Sequence, residues 1–401
     1  MWCHPIERET FKSTLFGVLP PHFGARLQPT DIFTDQRPCS KQLYQQNSAD
    51  AARLAPASQV DAQIPASPPE TAGPSPRAGI RSYLLASQFI AGDCARSARS
   101  YGGRMTPDRP VFTHRLSASG SDSPRADAGE IFPYWSFTKT VIAICALRMV
   151  QDGRLDLDAP LAGFDFSLRH LLDHTAGLPD YFTLPAYGAA VAQNEEPWSA
   201  EALRAATMAQ GRLFAPGTGW SYSNLGFMVA RDLLEEVAGQ SFSDLLQQLI
   251  CAPLELRSIT LAQTRRDFER VHWAAAKRYH PGWVYHGCLT GTAADAARLL
   301  QGLFEGTLLD AEMLREMRKS HPLGGVIEGR PWTECGYALG LMSGRAGEAG
   351  RMIGHSGAGP FSVNAVYHFP DLSPPVTVAS FTDGTLEGVA EHAAVAAALS
   401  A

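Results

Sequence analysis

The sequence predicts an α+β fold, in which an antiparallel sheet flanked by helices is joined to a mostly helical lobe. Three observations predict it: a strand pattern opens the structured region, helical patterns fill its middle, and β-branched and aromatic runs close it. Strands from both ends of the chain are then expected to share one sheet. With 401 residues, 45% of them hydrophobic, and a formal net charge of −6, the composition is that of a globular protein.

The first predicted elements are a strand and a buried helix. Residues 111–116 are rich in β-branched and apolar side chains, which favours a strand. Residues 138–149 are apolar on nearly every side, which predicts a helix that is buried all round, and Gly153 follows its end. No second convincing strand precedes this helix, so the partner strand of a first hairpin is not predicted.

Capping residues define three helices in the middle of the chain. A Ser or Thr side chain at a helix start accepts a backbone NH, and a glycine just past the end adopts the left-handed conformation. On these grounds Ser199 caps a helix that runs to residue 210, residues 225–238 form a helix that ends at Gly239, and Thr292 caps a helix over residues 293–304. The middle of the chain is therefore predicted to be helical.

The last part of the chain is predicted to be largely β-structure. Residues 363–369 and 376–382 are rich in β-branched and aromatic side chains and are separated by Pro and Asp. Two such runs joined by a short polar connection are typical of adjacent antiparallel strands.

The first hundred residues lack these patterns. Residues 55–79 hold six prolines among Ala, Ser and Gln, a composition that buries too little apolar surface to offset the entropy of ordering. We predict a low-complexity, disordered extension over residues 1–104, or a chain start at Met105, and a folded domain over residues 105–401. A short helix at residues 80–90 is left open.

Composition excludes several classes of protein. No run of Lys or Arg is present to neutralise phosphates, so nucleic-acid binding is not expected. No apolar stretch approaches the roughly 20 residues that span a bilayer, and no signal peptide is visible, so we expect no transmembrane segment and a cytoplasmic location. Seven cysteines without a C-x-x-C pair predict reduced thiols rather than disulfides or a zinc site. The oligomeric state is not predicted.

Ser136 and Lys139 form an S-x-x-K motif, which occurs once, at the start of the predicted buried helix. The spacing puts both side chains on one helix face. The helix dipole favours an alkoxide-like serine oxygen, and a desolvated lysine can lose its proton and act as a base. The pair therefore predicts acyl transfer, with Ser136 as nucleophile and Lys139 as base. The alternative is a serine that caps the helix beside a surface lysine.

Tyr222 and Asn224 form the one Y-x-N motif of the chain, on a predicted loop between a Pro-Gly turn and a helix. A phenol near Lys139 can relay the proton of the serine, and an amide can bind a substrate ester or amide. Tyr222 is therefore a predicted catalytic residue and Asn224 a predicted substrate-binding residue. A loop tyrosine beside an asparagine that caps the helix is the alternative.

The third motif, H-x-G, occurs at His22, His280 and His355. Position selects His355, which lies just before the two final strands, where a sheet edge can line a cleft. Gly357 and Ala358 follow it, and the backbone NH groups of Ala358 and Ser136 are a candidate oxyanion hole. These three residues are predicted to bind substrate. The alternative is a glycine-rich turn that carries a solvent-exposed histidine.

In this order the three motifs resemble those of the class C β-lactamase superfamily of penicillin-recognising serine hydrolases. Residues 171–179, 214–224, 336–340 and 354–357 are similar to the family's L-L-x-H-T-S-G-L-P, F-x-P-G-x-x-x-x-Y-S-N, G-Y-G-L-G and G-H-x-G segments. The match covers about residues 131–382. It implies a β-lactamase/transpeptidase-like fold, with the serine where the helical lobe meets the sheet.

The resemblance implies a serine hydrolase that cleaves a small ester, amide or peptide through an acyl-enzyme on Ser136, without a metal or cofactor. A β-lactam or a D-amino-acid peptide is included in that class. Asn224 would orient the acyl group and His355 would face the leaving group. Many penicillin-active members carry Lys at the position of His355, whereas a histidine is largely neutral near pH 7. The resemblance is therefore greater to the esterase and peptidase branches. His174 is expected to hydrogen-bond within its turn rather than to catalyse.

Two rival interpretations remain. Residues 354–358 nearly spell the G-x-S-x-G nucleophile elbow of α/β-hydrolases, which would make Ser356 the nucleophile. Too few residues follow Ser356 for the strand and helix units that would carry its partners. The second rival is a catalytically silent homologue that binds a peptide in the same cleft, and the intact motif side chains count against it.

Overall fold

Strands from both ends of the chain lie side by side in one antiparallel sheet. A computed structural model describes residues 109–117, 120–121 and 129–400. Its strands are β1 (Val111–Ser117), β2 (Gly120–Ser121), β3 (Phe132–Pro133), β4 (Thr260–Ala262), β5 (Cys288–Gly291), β6 (His321–Gly324), β7 (Glu334–Tyr337), β8 (Met342–Arg345), β9 (Arg351–Ala358), β10 (Ser362–Phe369) and β11 (Val376–Asp383). The larger sheet has the order β2-β1-β11-β10-β9-β8-β7-β6, and the smaller one β3-β5-β4.

Most of the described elements between β3 and β6 are helices. In the described residues they are α1 (Phe137–Gln151), α2 (Leu168–Leu172), α3 (Pro185–Ala192), α4 (Ala200–Met208), α5 (Asn224–Ala238), α6 (Phe242–Leu246), α7 (Arg265–Phe268), α8 (Ala293–Phe304) and α9 (Ala311–Met317). A further helix, α10 (Glu387–Leu399), follows β11. Helices α1 to α6 form the helical lobe.

The two faces of the larger sheet pack on different helices, because side chains alternate along a strand. On β11, Val376 and Val378 join a buried cluster with Ala390 of α10. Ala379 and Phe381 join the other cluster, which contains residues of α1 and α8. The sheet is therefore covered on one face by α10 and on the other by α8 and by α1 of the helical lobe, and the predicted α+β architecture is confirmed.

The predicted caps are present where the described helices begin and end. Ser199 Oγ accepts the Ala202 NH at 3.2 Å, and Thr292 Oγ1 accepts the Asp295 NH at 3.1 Å. Gly239 ends α5 with φ 66°. Local capping chemistry therefore sets these boundaries, and α1, whose residues are nearly all buried, is the predicted core helix.

Two sequence-based expectations about strands need correction. The partner strand of a first hairpin exists, but β2 is only two residues long and pairs with β1. The H-x-G segment is not a turn at a sheet edge, because it lies within β9, between β8 and β10. Its glycines weaken the strand pattern, and Gly354 is required there, since a Cβ would lie 2.0 Å from the Val366 carbonyl oxygen.

Several expectations concern residues outside the described ranges. The disorder predicted for residues 55–79 and the helix left open at residues 80–90 both lie there. Within the described part of the chain, Cys145, Cys251, Cys288 and Cys335 are free and buried. None of the described helices is long and apolar enough to cross a bilayer.

Candidate active site

The turn before Ser136 is held in a conformation that few residues adopt. Trp135 has φ 45°, in the left-handed region, where strain of about 1–3 kcal/mol is usual for a residue with a side chain. Its indole NH donates to Ser362 Oγ at 3.0 Å, and Asn364 Nδ2 donates to the Tyr134 carbonyl at 2.9 Å. Strand β10 therefore fixes the turn that presents Ser136 at the start of α1.

Lys139 lies one helical turn after Ser136 and is fully buried. Its Nζ donates to Ser136 Oγ at 3.1 Å and to Asn224 Oδ1 at 2.7 Å. The same Nζ lies 3.2 Å from His286 Nε2 and 4.9 Å from the centre of the Tyr222 ring. The interpretation of Lys139 as a surface charge is therefore wrong.

Burial changes the protonation of Lys139. It lowers the pKa of Lys139 to about 7, because an ammonium group loses its hydration in the protein interior. The negative charges of Asp180 and Glu387 act in the opposite direction. A lysine with this pKa is present in both protonation states near neutral pH, so it can accept a proton and return it.

Tyr222 reaches Ser136 from the helical lobe, where its hydroxyl donates to Ser136 Oγ at 2.9 Å. The loop that carries it is fixed on both sides of Ser223, whose NH donates to His174 Nδ1 at 3.1 Å and whose hydroxyl donates to the Pro179 carbonyl at 3.0 Å. Ser223 Oγ also caps α5, so the interpretation of Asn224 as the helix cap is wrong. The His174 side chain thus accepts a hydrogen bond from a neighbouring loop, and not from its own turn as expected.

Asn224 connects Lys139 to a buried carboxylate. Its Oδ1 accepts from Lys139, while its Nδ2 donates to both carboxylate oxygens of Asp180 at 3.2 and 3.0 Å. Burial raises the pKa of Asp180 to about 6, although its hydrogen bonds with Asn224 lower it. Both ends of the Asn224 amide are thus already engaged inside the protein, next to the cleft that it lines.

His355 is fully buried in β9, so the interpretation as a solvent-exposed histidine is wrong. The Tyr337 hydroxyl lies 2.9 Å from His355 Nε2, and His355 Nδ1 lies against the Ser356 carbonyl. Burial and the Lys139 charge lower the pKa of His355 to about 3, so the ring is neutral at pH 7. His355 is not among the described residues that line the cleft.

The end of β9 runs close to the turn before Ser136. A Cβ on Gly357 would lie 2.8 Å from both Trp135 Cβ and the Tyr134 carbonyl oxygen, so only glycine fits without displacement. The next residue, Ala358, lines the same cleft as Ser136. The structure therefore brings these two residues together at one wall, whereas Gly357 makes the close approach possible.

Ser356 lies on the face of the larger sheet that packs on α10, which is the face opposite to the helical lobe. It is fully buried, and its hydroxyl lies 2.6 Å from the Tyr367 hydroxyl and donates to Glu391 of α10. A nucleophile elbow joins a strand to a helix, but Ser356 lies inside an antiparallel strand. The α/β-hydrolase interpretation with Ser356 as nucleophile is therefore wrong.

A cleft of about 740 Å³ opens beside Ser136. Aromatic and aliphatic side chains form most of its wall, among them Phe182, Tyr187, Val191, Tyr279, Val284 and Phe361. Of the described residues that line it, Arg278 alone carries a permanent charge. No group of three or more His, Cys, Asp or Glu side chains that could hold a metal is found in the described residues.

Three residues of the site were not singled out from the sequence. Asp180 directly follows the segment that is similar to L-L-x-H-T-S-G-L-P, and Tyr337 lies within the segment that is similar to G-Y-G-L-G. The motifs are therefore a signal from which both residues could be predicted. His286 belongs to no motif. Only the fold shows that it contacts Lys139.

An antiparallel sheet with helices on both faces, a helical lobe, and a Ser-Lys-Tyr cluster between them define the class of penicillin-recognising serine hydrolases. The chain belongs to the beta-lactamase family, whose sequence model matches residues 105–401. The family predicted from the three motifs is thereby confirmed.

Several characterised relatives are similar to parts of this chain. Penicillin-binding protein 4* of Bacillus subtilis (strain 168) is 24% identical over 296 residues, which cover 65% of this chain and 60% of its own length. Esterase EstB of Burkholderia gladioli is 29% identical over 152 residues, 32% of this chain and 37% of its own. The alignments thus span less than two thirds of these relatives.

Solved structures show the same fold. A D-stereospecific amidohydrolase from Streptomyces sp. superposes with a TM-score of 0.60 at 23% identity, covering 79% of this chain and 97% of its own. D-amino acid amidase from Ochrobactrum anthropi SV3 does so with a TM-score of 0.59 at 22% identity, covering 74% and 92%. At this identity the likeness concerns the fold.

Proposed function

We propose that the protein is a serine hydrolase that cleaves a small ester or amide through an acyl-enzyme on Ser136. One observation carries the proposal: Ser136 Oγ, at the wall of the cleft, lies 3.1 Å from Lys139 Nζ and 2.9 Å from the Tyr222 hydroxyl. A hydroxyl with two proton-transfer groups at hydrogen-bond distance is the arrangement that nucleophilic catalysis needs.

Acylation follows from these contacts. The Lys139 amine takes the proton of the Ser136 hydroxyl as Oγ bonds to the substrate carbonyl carbon, and the carbonyl electrons move to its oxygen. The NH groups of Ser136 and Ala358 stabilise that oxyanion. When the carbonyl re-forms, the bond to the leaving group breaks and Tyr222 passes it the proton held by Lys139. Water then bonds to the acyl carbon and gives a proton to Lys139, the bond from that carbon to Ser136 Oγ breaks, and Lys139 returns the proton to Oγ.

In this proposal Asn224 keeps its predicted place at the substrate, whereas the role of His355 becomes an indirect one. The contacts of Asn224 with Lys139 and Asp180 support a first role in holding the base, and its cleft-facing position supports a second in orienting the acyl group. His355 acts from behind the wall, through its contact with the Tyr337 hydroxyl.

The cleft supports an apolar acyl or leaving group, because aromatic and aliphatic side chains form most of its wall. Relatives named as an esterase and as D-aminopeptidases support esters and amides as the substrate class. The cytoplasmic location expected from the sequence belongs to the same proposal, and fractionation of cells that express the protein tests it.

Replacement of the proposed nucleophile tests the function. Ser136→Ala should reduce hydrolysis of a p-nitrophenyl ester by about 10³-fold or more, because a nucleophile and its bases act as one unit. Ser356→Ala is the matched control, since Ser356 lies on the other face of the sheet, and it should retain most of the activity. Mass spectrometry should find a fluorophosphonate on Ser136.

Two results would count against this function. Loss of activity in Ser356→Ala with activity retained in Ser136→Ala would restore the elbow interpretation. No labelling of Ser136, together with no turnover of esters, amides or β-lactams, would favour the catalytically silent homologue.

A further inference from the structure

His286 contacts the proposed base but belongs to none of the three motifs. It lies in the loop directly before β5, is 2% exposed, and lines the cleft. Its Nε2 lies 3.2 Å from Lys139 Nζ. A histidine at this distance from the base takes part in how that base is held.

The other ring nitrogen of His286 has no hydrogen-bond partner in the described part of the chain. His286 Nδ1 is buried, and a buried polar atom without a partner destabilises a fold. Buried groups of this kind call for an explanation other than stability. The contact of Nε2 with Lys139 supplies one.

The partners of Lys139 Nζ match the needs of a base. Nζ has three polar neighbours, Ser136 Oγ, Asn224 Oδ1 and His286 Nε2, enough for the three hydrogens of an ammonium group. A neutral amine has only two hydrogens. If these go to Asn224 and His286, the remaining lone pair is directed at the hydroxyl of Ser136.

We propose that His286 is a positioning residue that accepts a hydrogen bond from Lys139 and so directs the amine lone pair at Ser136. The inference rests on the proposed function and names a residue that the motifs leave out. In the step, the Ser136 hydroxyl proton moves to Lys139 Nζ while Oγ forms its bond to the acyl carbon. His286 neither gains nor loses a proton.

The surroundings of His286 keep the ring neutral. Burial lowers its pKa well below the usual value, and the positive charge of Lys139 lowers it further. The other titratable or charged groups around the two side chains include Tyr222, Arg231, His174, His355, Asp180 and Glu387. A neutral ring with its proton on Nδ1 has its Nε2 lone pair free to accept from Lys139.

Three substitutions separate positioning from packing. His286→Leu removes the acceptor, and His286→Asn keeps a polar side chain that is too short to reach Lys139. His286→Gln places an amide oxygen close to where Nε2 lies. His272→Leu is the control, because His272 is an exposed histidine that contacts Phe112 and Trp273 rather than the site.

The readout is the rate at which a fluorophosphonate labels Ser136, measured against pH, with thermal unfolding of each variant. In the labelling step Ser136 Oγ bonds to phosphorus, fluoride leaves, and Lys139 takes the hydroxyl proton. We expect labelling to slow about 10–100-fold in His286→Leu and His286→Asn, within the range of a misplaced general base. His286→Gln and His272→Leu should stay within about 3-fold of the parent protein.

The pH profile gives a second sign. In His286→Leu the ammonium form of Lys139 loses the neutral ring that accepts its hydrogen bond, so the pKa of Lys139 falls. The pH at which the labelling rate rises then moves to a lower value. His286→Leu should therefore be slower even where more of its base is deprotonated.

Equal losses in the Leu, Asn and Gln variants, or no loss in Leu and Asn, would overturn the positioning role and leave the proposed function intact. An unlabelled Ser136 in the parent protein would overturn both.

Discussion

Buried polar side chains on separate elements meet at the Nζ of Lys139, beside Ser136. Lys139 comes from α1, Asn224 from α5, and His286 from the loop before β5. Asn224 and His286 both contact Lys139, so the geometry of the lysine depends on both of them. Single substitutions in this cluster are therefore expected to change rates more than their own contacts suggest.

Under the proposed function, the lack of a permanent charge on the third motif should affect which substrates are favoured. His355 is buried against the Tyr337 hydroxyl and provides no permanent cation for a substrate carboxylate. We expect short-chain p-nitrophenyl esters to be hydrolysed with a higher kcat/KM than cephalosporins. His355→Lys would add an ammonium group behind the cleft wall, from where its charge should attract a substrate carboxylate and shift that ratio towards the cephalosporins.

A matched substitution separates the effect of a positive charge at position 355 from the effect of adding a positive charge anywhere on the protein. His272→Lys adds the same charge at an exposed position and should leave the ratio unchanged. Cephalosporin hydrolysis by the parent protein as efficient as ester hydrolysis would disprove the inference.

Regular elements with strong local signals could be predicted, and elements fixed by distant contacts could not. Helix α8 has its predicted bounds, because the Thr292 cap and an apolar period agree. Strand β9 was missed because its glycines carry no strand pattern, and what requires Gly354 is the Val366 carbonyl on the neighbouring strand. The contact of His286 with Lys139 likewise depends on the fold, since 147 positions separate the two residues.

The packing of α10 on the sheet depends on a buried ion pair. Glu391 is fully buried and forms an ion pair with Arg330. Its carboxylate accepts hydrogen bonds from Ser356 Oγ and, at 3.1 Å, from Trp332 Nε1. Arg330 also pairs with Glu387 at 2.7 Å. This network connects the helix to the strand that carries the third motif.

Removing one member of this network should destabilise the protein strongly. Glu391→Ala leaves Arg330 with one carboxylate in place of two, and we expect the free energy of unfolding to fall by about 1.5–3 kcal/mol, because hydrogen bonds to a charged group are lost while Glu387 still pairs with Arg330. Glu328→Ala, at an exposed position, is the control and should change it by less than about 0.5 kcal/mol. Urea unfolding measures both, and similar small changes would show that the network adds little.

At the scale of the whole chain, the sequence predicts that the folded domain begins at residue 105. The family match begins at residue 105, and the first described strand begins at Val111. Residues 1–104 carry none of the motif side chains. We therefore expect chains that begin at residues 1, 78 and 105 to unfold at the same temperature and to hydrolyse esters at the same rate, because a disordered extension makes few buried contacts.

A packed helix at residues 80–90 would give a different result. Its deletion would expose apolar surface and destabilise the protein by several kcal/mol, at about 25 cal/mol per Å². A loss of melting temperature and activity only between the chains that begin at residues 78 and 105 would place the boundary near residue 78.

The pairing of β1 with β11 has a consequence for how the protein is made. The hydrogen bond between Thr113 and Ser380 joins residues 267 positions apart, so the ribosome delivers β1 long before its partner. Such distant pairing slows folding, and until β11 arrives β1 is a strand with an open edge. Arg115 places a positive charge within β1 while this strand is still unpaired, and such charges oppose association with other nascent chains.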